Sequence, residues 1–211
     1  MVSRTAAGGG PARPWVLPGE PTVVRLMNTI WADRAGIRDD LSAPADLTAW
    51  LASAGLAHGV GRVTGDDLDR ARQLRDACRR VAARITADPR PAAASATADL
   101  HAAIAEINSV AACSPPIARL ALRDGDLQRD TTPLGHALPT ALATVAADAV
   151  GLFTDHARPP LRACLAPGCV LYFVKDHPRR EWCSAACGNR ARAARHYRRH
   201  RPGADPQPDP H

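Results

Sequence analysis

The most informative segment of the chain reads CLAPGCVLYFVKDHPRREWCSAACGNR over residues 164–190. It contains two pairs of cysteines, Cys164 with Cys169 and Cys183 with Cys187, and thirteen residues separate the pairs. Two closely spaced cysteine pairs that close a loop of this length are the usual ligand set of a structural zinc ion. The spacing therefore predicts that each chain holds one Zn²⁺ through four thiolates.

The residues around the cysteines predict how the chain folds about the metal. Pro-Gly at residues 167–168 provides a tight turn between the first two ligands. A β-prone run at residues 170–174, a turn, and a returning segment at residues 181–182 predict a hairpin between the two pairs. On a helix, Cys183 and Cys187 lie one turn apart on the same side. Turn, hairpin and helix in this order predict a treble-clef-like zinc finger.

Positive charge is concentrated in this part of the chain. The formal net charge is +6; residues 1–157 carry sixteen arginines against seventeen acids, and residues 158–201 carry eleven Lys and Arg against two acids. A basic segment of this density is typical of proteins that bind a polyanion, most often nucleic acid. Arginine outnumbers lysine twenty-six to one, which indicates a GC-rich bacterial genome. Such a genome raises the arginine content everywhere, so the prediction of nucleic-acid binding depends on the difference in net charge between the two segments and not on the total net charge.

A helix that continues beyond the last cysteine separates small residues from cations. At 100° per residue from Cys187, Ala191 and Ala194 lie near the zinc side and the cations lie opposite. Six arginines and two histidines without an acid at residues 190–201 are unusual for a solvated helix, which usually carries charges of both signs. We predict contacts to DNA phosphates or base edges; an acidic protein partner and a merely solvated face are the alternatives. The predicted contacts are Arg192, Arg195, His196, Arg199 and His200.

The metal site is expected to have donors and cations around it, because four thiolates on Zn²⁺ leave a formal charge of −2. Arg179, Arg180 and Arg190 suit this role, and contacts to nucleic acid are an equally good interpretation for them. Asn189 is expected to support the site, either by a hydrogen bond to a sulfur or by pinning the hairpin to the helix. His177 could replace a cysteine, but four thiolates complete a tetrahedron, so we assign it to a turn.

The remaining polar residues indicate no catalytic centre. We find no nucleophile paired with a base, no glycine-rich phosphate loop, and no open position on a closed tetrathiolate site. We therefore expect a protein that is not an enzyme. Cys78 and Cys113 are isolated and are expected to pack in the core as small apolar residues. Asn28 and Thr29 are expected either to make a buried hydrogen bond or to form one wall of an effector pocket.

The chain before the finger is predicted to be mainly α. Apolar residues suit helices in five segments, and a capping box of Thr64 and Asp67 marks the start of the third. Before the last helix the period changes, and Asp124-Gly125 between β-prone runs predicts a small β-hairpin. The predicted helices are residues 23–32, a helix capped by Ser42 that runs through Leu51, residues 64–87, residues 92–112 and residues 139–153.

Length and composition bound the organisation of the chain. A chain of 211 residues can hold one helical domain and a small metal module. Neither a secretory signal nor eighteen uninterrupted apolar residues are apparent, so we expect no membrane span and a cytoplasmic location, where thiols stay reduced. The predicted units are residues 1–19 (disordered), 20–157 (helical domain), 158–201 (finger with basic helix) and 202–211 (disordered tail).

Several of these motifs together resemble a known family, the CGNR zinc-finger proteins. The resemblance is specific at residues 182–184, Trp-Cys-Ser, at residues 187–190, Cys-Gly-Asn-Arg, and in the basic stretch that follows. It is looser upstream, for example at Met27-Asn28-Thr29. In that family a helical domain called ABATE precedes the finger, and the whole is regarded as a stress-induced transcription regulator. The resemblance implies this arrangement for residues 20–157 and 160–201.

These observations predict a transcription regulator in which a helical sensor or interaction domain carries a zinc finger that binds DNA. The helical domain is expected to receive a small-molecule or protein effector. A homodimer is expected because one finger buries little surface on DNA. The alternative is a protein-interaction adaptor whose basic finger docks an acidic partner. Retention on heparin or DNA at low and moderate salt distinguishes the two functions.

Overall fold

The computed structural model describes residues 17, 19–90, 95–114, 117–132 and 137–200. The predicted mainly α fold class is confirmed, because helices dominate, the β-hairpins are small, and four cysteines cluster near the C-terminal end, whereas the treble-clef arrangement of the finger stays a prediction. The disorder predicted for residues 1–19 and 202–211 falls, apart from Leu17 and Gly19, outside the described residues. The described elements are α1 (Thr22–Met27), β1 (Ile30–Asp33), β2 (Gly36–Asp39), α2 (Pro44–Ser53), α3 (Gly65–Ile85), α4 (Leu100–Cys113), β3 (Ile117–Arg123), β4 (Asp126–Thr132), α5 (Ala137–Thr154), β5 (Leu161–Ala163), β6 (Tyr172–Val174) and α6 (Ala185–His200).

The first predicted helix is wrong in its second half. Helix α1 ends at Met27, and the chain then forms the antiparallel hairpin β1–β2. Trp31 lies on β1, where its indole N–H donates to Asp40 Oδ1 at 2.9 Å. Gly36, the first residue of β2, follows the turn directly and has φ 123°, a conformation that glycine adopts without strain. The apolar run at residues 23–32 therefore serves a helix and a strand in succession.

The starts of α2 and α3 use carboxylates from the first turn. The predicted cap by Ser42 is wrong, because Asp46 accepts hydrogen bonds from the backbone N–H groups of Ser42 and Ala43 at 3.0 and 2.8 Å. The predicted capping box of α3 is confirmed. Asp67 N donates to Thr64 Oγ1 at 3.3 Å, and Thr64 N donates to Asp67 Oδ2 at 2.9 Å. Such pairs satisfy N–H groups that have no partner inside the helix.

Helix α4 and the hairpin β3–β4 are present as predicted, except that the helix starts later. Helix α4 starts at Leu100 instead of residue 92, because the first capping carboxylate is Asp99, which accepts from Ala102 N at 2.8 Å. The hairpin β3–β4 is confirmed, with φ 51° at Asp124 and φ 87° at Gly125. Positive φ at both central residues is what a two-residue type I′ turn requires.

The core is formed mainly by α1, α3 and α5. Helix α5 is long and apolar enough to cross a membrane by length and composition, but Ala141, Val145 and Ala149 along it are buried inside the protein, as in a core helix. Cys78 is fully buried as predicted, whereas Cys113, at the end of α4, is exposed, so its predicted core position is wrong. The same core continues past α5 and includes Leu161, Tyr172 and Val174 of the hairpin β5–β6.

Candidate metal centre and basic helix

The four predicted ligands meet at one point. The Sγ atoms of Cys164, Cys169, Cys183 and Cys187 all lie within 4.8 Å of one another. Cys183 Sγ is 3.8 Å from that of Cys169 and 3.4 Å from that of Cys187. A tetrahedron of sulfurs with Zn–S bonds of about 2.3 Å has edges of about 3.8 Å. The cluster therefore has the size that one zinc ion requires, and all four cysteines are buried.

The protonation of the four thiols also suits a cation. Hydrogen bonding, chiefly with Cys169, lowers the pKa of Cys164 to about 7, and hydrogen bonding, chiefly with Cys164, lowers the pKa of Cys187. In return, hydrogen bonding to Cys164 raises the pKa values of Cys169 and Cys183. Four neighbouring thiols cannot all ionise by themselves, because like charges repel. A divalent cation removes this repulsion, so the cluster fits a metal ion.

The backbone around the cysteines differs from the prediction in two respects. Gly168, with φ 71°, makes the predicted turn between the first two ligands, and Cys187 lies in the first turn of α6 as predicted, but Cys183 precedes the helix, which begins at Ala185. However, β6 does not pair with residues 181–182. It pairs with β5, which precedes Cys164, so the first two ligands lie in the connection of the hairpin β5–β6. Three residues of β5 are too few to give a strand period that the sequence could reveal.

Two of the predicted supporting arginines contact the site. Arg190 Nη2 donates to Cys187 Sγ at 3.0 Å, and this contact contributes to raising the pKa of Arg190 against the opposing effect of burial. Arg180 Nη2 lies 2.6 Å from a Glu20 carboxylate oxygen and donates to Cys183 O at 3.4 Å. Arg190 therefore supplies charge to a sulfur, and Arg180 holds the backbone of a ligand.

The other two predicted supporting residues point elsewhere. Asn189 is exposed, and its Oδ1 accepts from Arg192 Nη2 at 2.5 Å. Arg179 is exposed, and its backbone N–H donates to His177 Nδ1 at 3.1 Å. This bond stabilises a local turn, as expected for His177. Within the described chain, the side chains of Asn189 and Arg179 make no hydrogen bond to a cysteine sulfur.

Residues far upstream hold the free edge of β6. Asn28 is fully buried; its Nδ2 donates to Tyr172 O at 2.9 Å, and its Oδ1 accepts from Tyr172 N at 2.9 Å. Two residues further on, Val174 N donates to Glu20 Oε2 at 2.9 Å. The two side chains thus occupy the positions of a neighbouring strand. The buried hydrogen bond predicted for Asn28 is confirmed, and the role of Glu20 was missed.

Arg90, just after α3, binds the turn that carries the first two ligands. Its Nη1 donates to Cys164 O at 2.8 Å and to Cys169 O at 3.0 Å. Asp88 holds the other end of this guanidinium at 2.6 Å and accepts from the Tyr172 hydroxyl at 2.8 Å. Burial opposes ionisation of Asp88, but the hydrogen bonds from Arg90 outweigh it and lower the pKa of this carboxyl. Arg90 is therefore a positioning residue that sequence reasoning missed.

Arg79 joins α3 to the finger from inside the core. It is 2% exposed, and it donates to Met27 O at 2.9 Å and to Val170 O at 3.3 Å. Its guanidinium also lies 5.2 Å from the centroid of the Tyr172 ring. The sequence offers one signal for this buried role, which is the position of Arg79 on the buried side of α3, four residues after the likewise buried Arg75. Through these contacts the helical domain and the finger share one core.

Helix α6 exposes the cations that the sequence places on it. Ala191 is buried and Ala194 is half-buried, as predicted, whereas the predicted DNA contacts are all exposed. Arg192 donates to Asn189, and the His196 and His200 rings pack with centroids 4.3 Å apart. In the described part of the chain, three guanidinium groups on α6 have no hydrogen-bond or ion-pair partner. These belong to Arg195, Arg198 and Arg199.

Comparison with known families gives two matches. Residues 20–156 match the ABATE family, described as "Putative stress-induced transcription regulator". Residues 161–200 match the CGNR zinc finger. No individually curated protein matches the chain. The architecture that the sequence resembles is therefore confirmed, and the matched finger contains the four clustered cysteines that could bind one zinc ion.

Proposed function

Because the chain belongs to the ABATE family and carries a CGNR zinc finger, we propose that it is a transcription regulator that binds DNA through α6. The zinc ion is structural in this proposal, since four thiolates leave no open position for a substrate. The chain acts by binding and not by catalysis. It works in the bacterial cytoplasm, where reduced thiols remain available to the metal.

The observation that carries the proposal is the charge on α6. Residues 185–200 contain five arginines and two histidines and no acid, and three of the guanidinium groups have no partner among the described residues. Exposed arginines without partners are suited to phosphate oxygens, which they can bind through two parallel hydrogen bonds. By contrast, α3 carries both aspartates and arginines. The cations of α6 are therefore available to an external polyanion.

The zinc site and the upstream domain supply the support that such a helix needs. Cys187 fixes the first turn of α6 to the metal cluster, and Arg90 fixes the same cluster to the helical domain. A change in the helical domain can therefore alter the position of α6, which suits a domain that receives an effector. Single DNA-binding modules bury only about 600–1,000 Å² of protein surface. We therefore propose that the regulator binds DNA as a homodimer.

A charge-matched pair of variants tests the DNA surface. The sequence favours Arg192 as a contact, but its guanidinium is bonded to Asn189, so the test variant is R195A/R198A/R199A. The control variant is R34A/R62A/R70A, which removes the same charge from exposed sites in the helical domain. Each phosphate contact raises log affinity by about 0.9 when the salt concentration falls from 1 M to 0.1 M. The loss of three contacts should therefore weaken binding at 0.1 M salt by about 500-fold.

The measurement is fluorescence anisotropy of a labelled duplex with protein that contains one zinc per chain. We expect a large loss of affinity for the α6 variant and little change for the control. Equal affinity of wild type and the zinc-loaded α6 variant would remove α6 from the DNA surface. The adaptor function, with an acidic protein as partner, would then be the better interpretation.

A further inference from the structure

A second basic feature lies in the finger, outside α6. A cleft of about 240 Å³ opens between the hairpin β5–β6 and the segment that leads into α6. Phe173 and Trp182 contribute aromatic surface to it. Its charged lining residues are Arg162, Lys175, Arg180 and Glu181.

The cations of this cleft differ in how far they are already neutralised. Arg180 is bound to Glu20 at 2.6 Å and to Asp176 at 3.2 Å. By contrast, the guanidinium of Arg162 and the ammonium of Lys175 have no hydrogen-bond or ion-pair partner in the part of the chain that the structure describes. Two uncompensated cations therefore face this cleft.

Glu181 is the one acid among the residues that line the cleft. Its carboxylate has no hydrogen-bond or ion-pair partner in the described chain. One negative charge does not offset the two positive charges, so the free charges of the cleft leave a positive excess. A cleft with such an excess attracts an anionic group.

Gly188 lies between the cleft and the cations on one face of α6. A Cβ atom on Gly188 would lie 3.1 Å from Trp182 Cδ1 and 3.3 Å from Arg192 Nη1. The Trp182 ring, which lines the cleft, and the Arg192 side chain are therefore neighbours over the glycine. Arg195 and Arg199 follow Arg192 at helical spacings of three and seven residues and so lie on the same face. The cleft thus lies at the N-terminal end of that face.

We infer that Arg162 and Lys175 bind a phosphate group of the DNA whose backbone runs along α6. This inference rests on the proposed function and extends its surface from the helix to the hairpin β5–β6. A planar guanidinium can bind two phosphate oxygens, and an ammonium group adds a compact charge. From Arg192 to Arg199 the helix rises about 10 Å, and successive phosphates of one strand are separated by about 3.4 Å along the axis of the duplex. The helix and the cleft therefore contact different phosphates.

The test is the salt dependence of DNA affinity for the zinc-loaded full chain and the variant R162A/K175A. Loss of this phosphate contact should flatten the slope of log affinity against log salt by about 0.9 and weaken binding at 0.1 M salt by about 8-fold. The control R34A/R62A removes the same charge from the helical domain and should leave the slope unchanged. If R162A/K175A holds less than one zinc per chain, R162Q/K175Q replaces it, since glutamine preserves more of the side chain.

The outcomes separate this inference from the proposed function. If the wild type does not bind duplex DNA, both fail. If the wild type binds and R195A/R198A/R199A loses affinity, while R162A/K175A keeps the slope of its control, only the phosphate site in the cleft is overturned. A cleft variant that binds DNA normally but no longer binds an acidic peptide also overturns it.

Discussion

The substitution Asn28→Ala tests whether the helical domain and the finger are one folded unit. Asn28 makes two hydrogen bonds of 2.9 Å to the backbone of Tyr172, and both residues are fully buried. Its removal leaves one N–H and one C=O without partners in the core, and each costs about 1–3 kcal/mol. We expect a loss of about 3–4 kcal/mol in the free energy of unfolding, which lowers the Tm of a protein of this size by about 6–16 °C.

The assay is thermal and urea unfolding followed by circular dichroism, with zinc transfer to a chelator as a second readout. Because β6 follows directly on the first two ligands, N28A should also release zinc faster than the wild type. Asn108→Ala is the control, since Asn108 is exposed on α4 and a surface change of this kind costs at most about 0.5 kcal/mol. The reasoning is refuted if N28A unfolds and releases zinc like N108A.

Three further changes probe the same architecture. A fragment of residues 20–157 lacks Tyr172 and leaves Arg79 without its Val170 partner, so we expect its Tm to fall well below that of the full chain; an equally stable fragment contradicts a shared core. C183S removes one of four ligands and should reduce zinc below one per chain by metal analysis, whereas C113S, at an exposed cysteine, should keep it. G188A places a methyl group 3.1 Å from Trp182 and should shift tryptophan fluorescence and weaken DNA binding with zinc retained; unchanged values for both would show that the ring is free to move.

The zinc ligands were predictable because their geometry is largely local. Cys164 and Cys169 are joined by a turn that Gly168 allows, and Cys183 and Cys187 are close in sequence, so spacing alone indicates the cluster. The exposure of the cations on α6 was predictable for the same reason, since helical period fixes which residues share a face.

The partners of the residues that support the finger were not predictable, because these contacts join residues that are distant in sequence. Asn28 and Tyr172 are 144 positions apart, and Arg90 binds carbonyls at Cys164 and Cys169. Backbone acceptors leave no trace in the identity of the residue that provides them. The position of Arg79 on the buried side of α3 indicates that it lies in the core, but the sequence does not reveal which carbonyls its guanidinium binds.

The errors in secondary structure have a similar origin. The apolar run at residues 23–32 satisfies a helical period, but the packing of Trp31 against the cysteine cluster and the turn before Gly36 favour a strand after Met27. Strand β5 was missed because its partner β6 lies beyond the metal-binding turn. In both places the local pattern is compatible with more than one structure, and packing decides between them.

The salt dependence of duplex binding by the zinc-loaded wild type tests the central claim most directly. The claim is that the finger binds DNA through cations that have no partner inside the protein. Three contacts from α6 predict a slope of log affinity against log salt of about −2.7, and the phosphate bound in the cleft brings it to about −3.6. A slope near zero, or no binding to duplex DNA at about 50 mM salt, where contacts of this kind are strongest, would contradict the account.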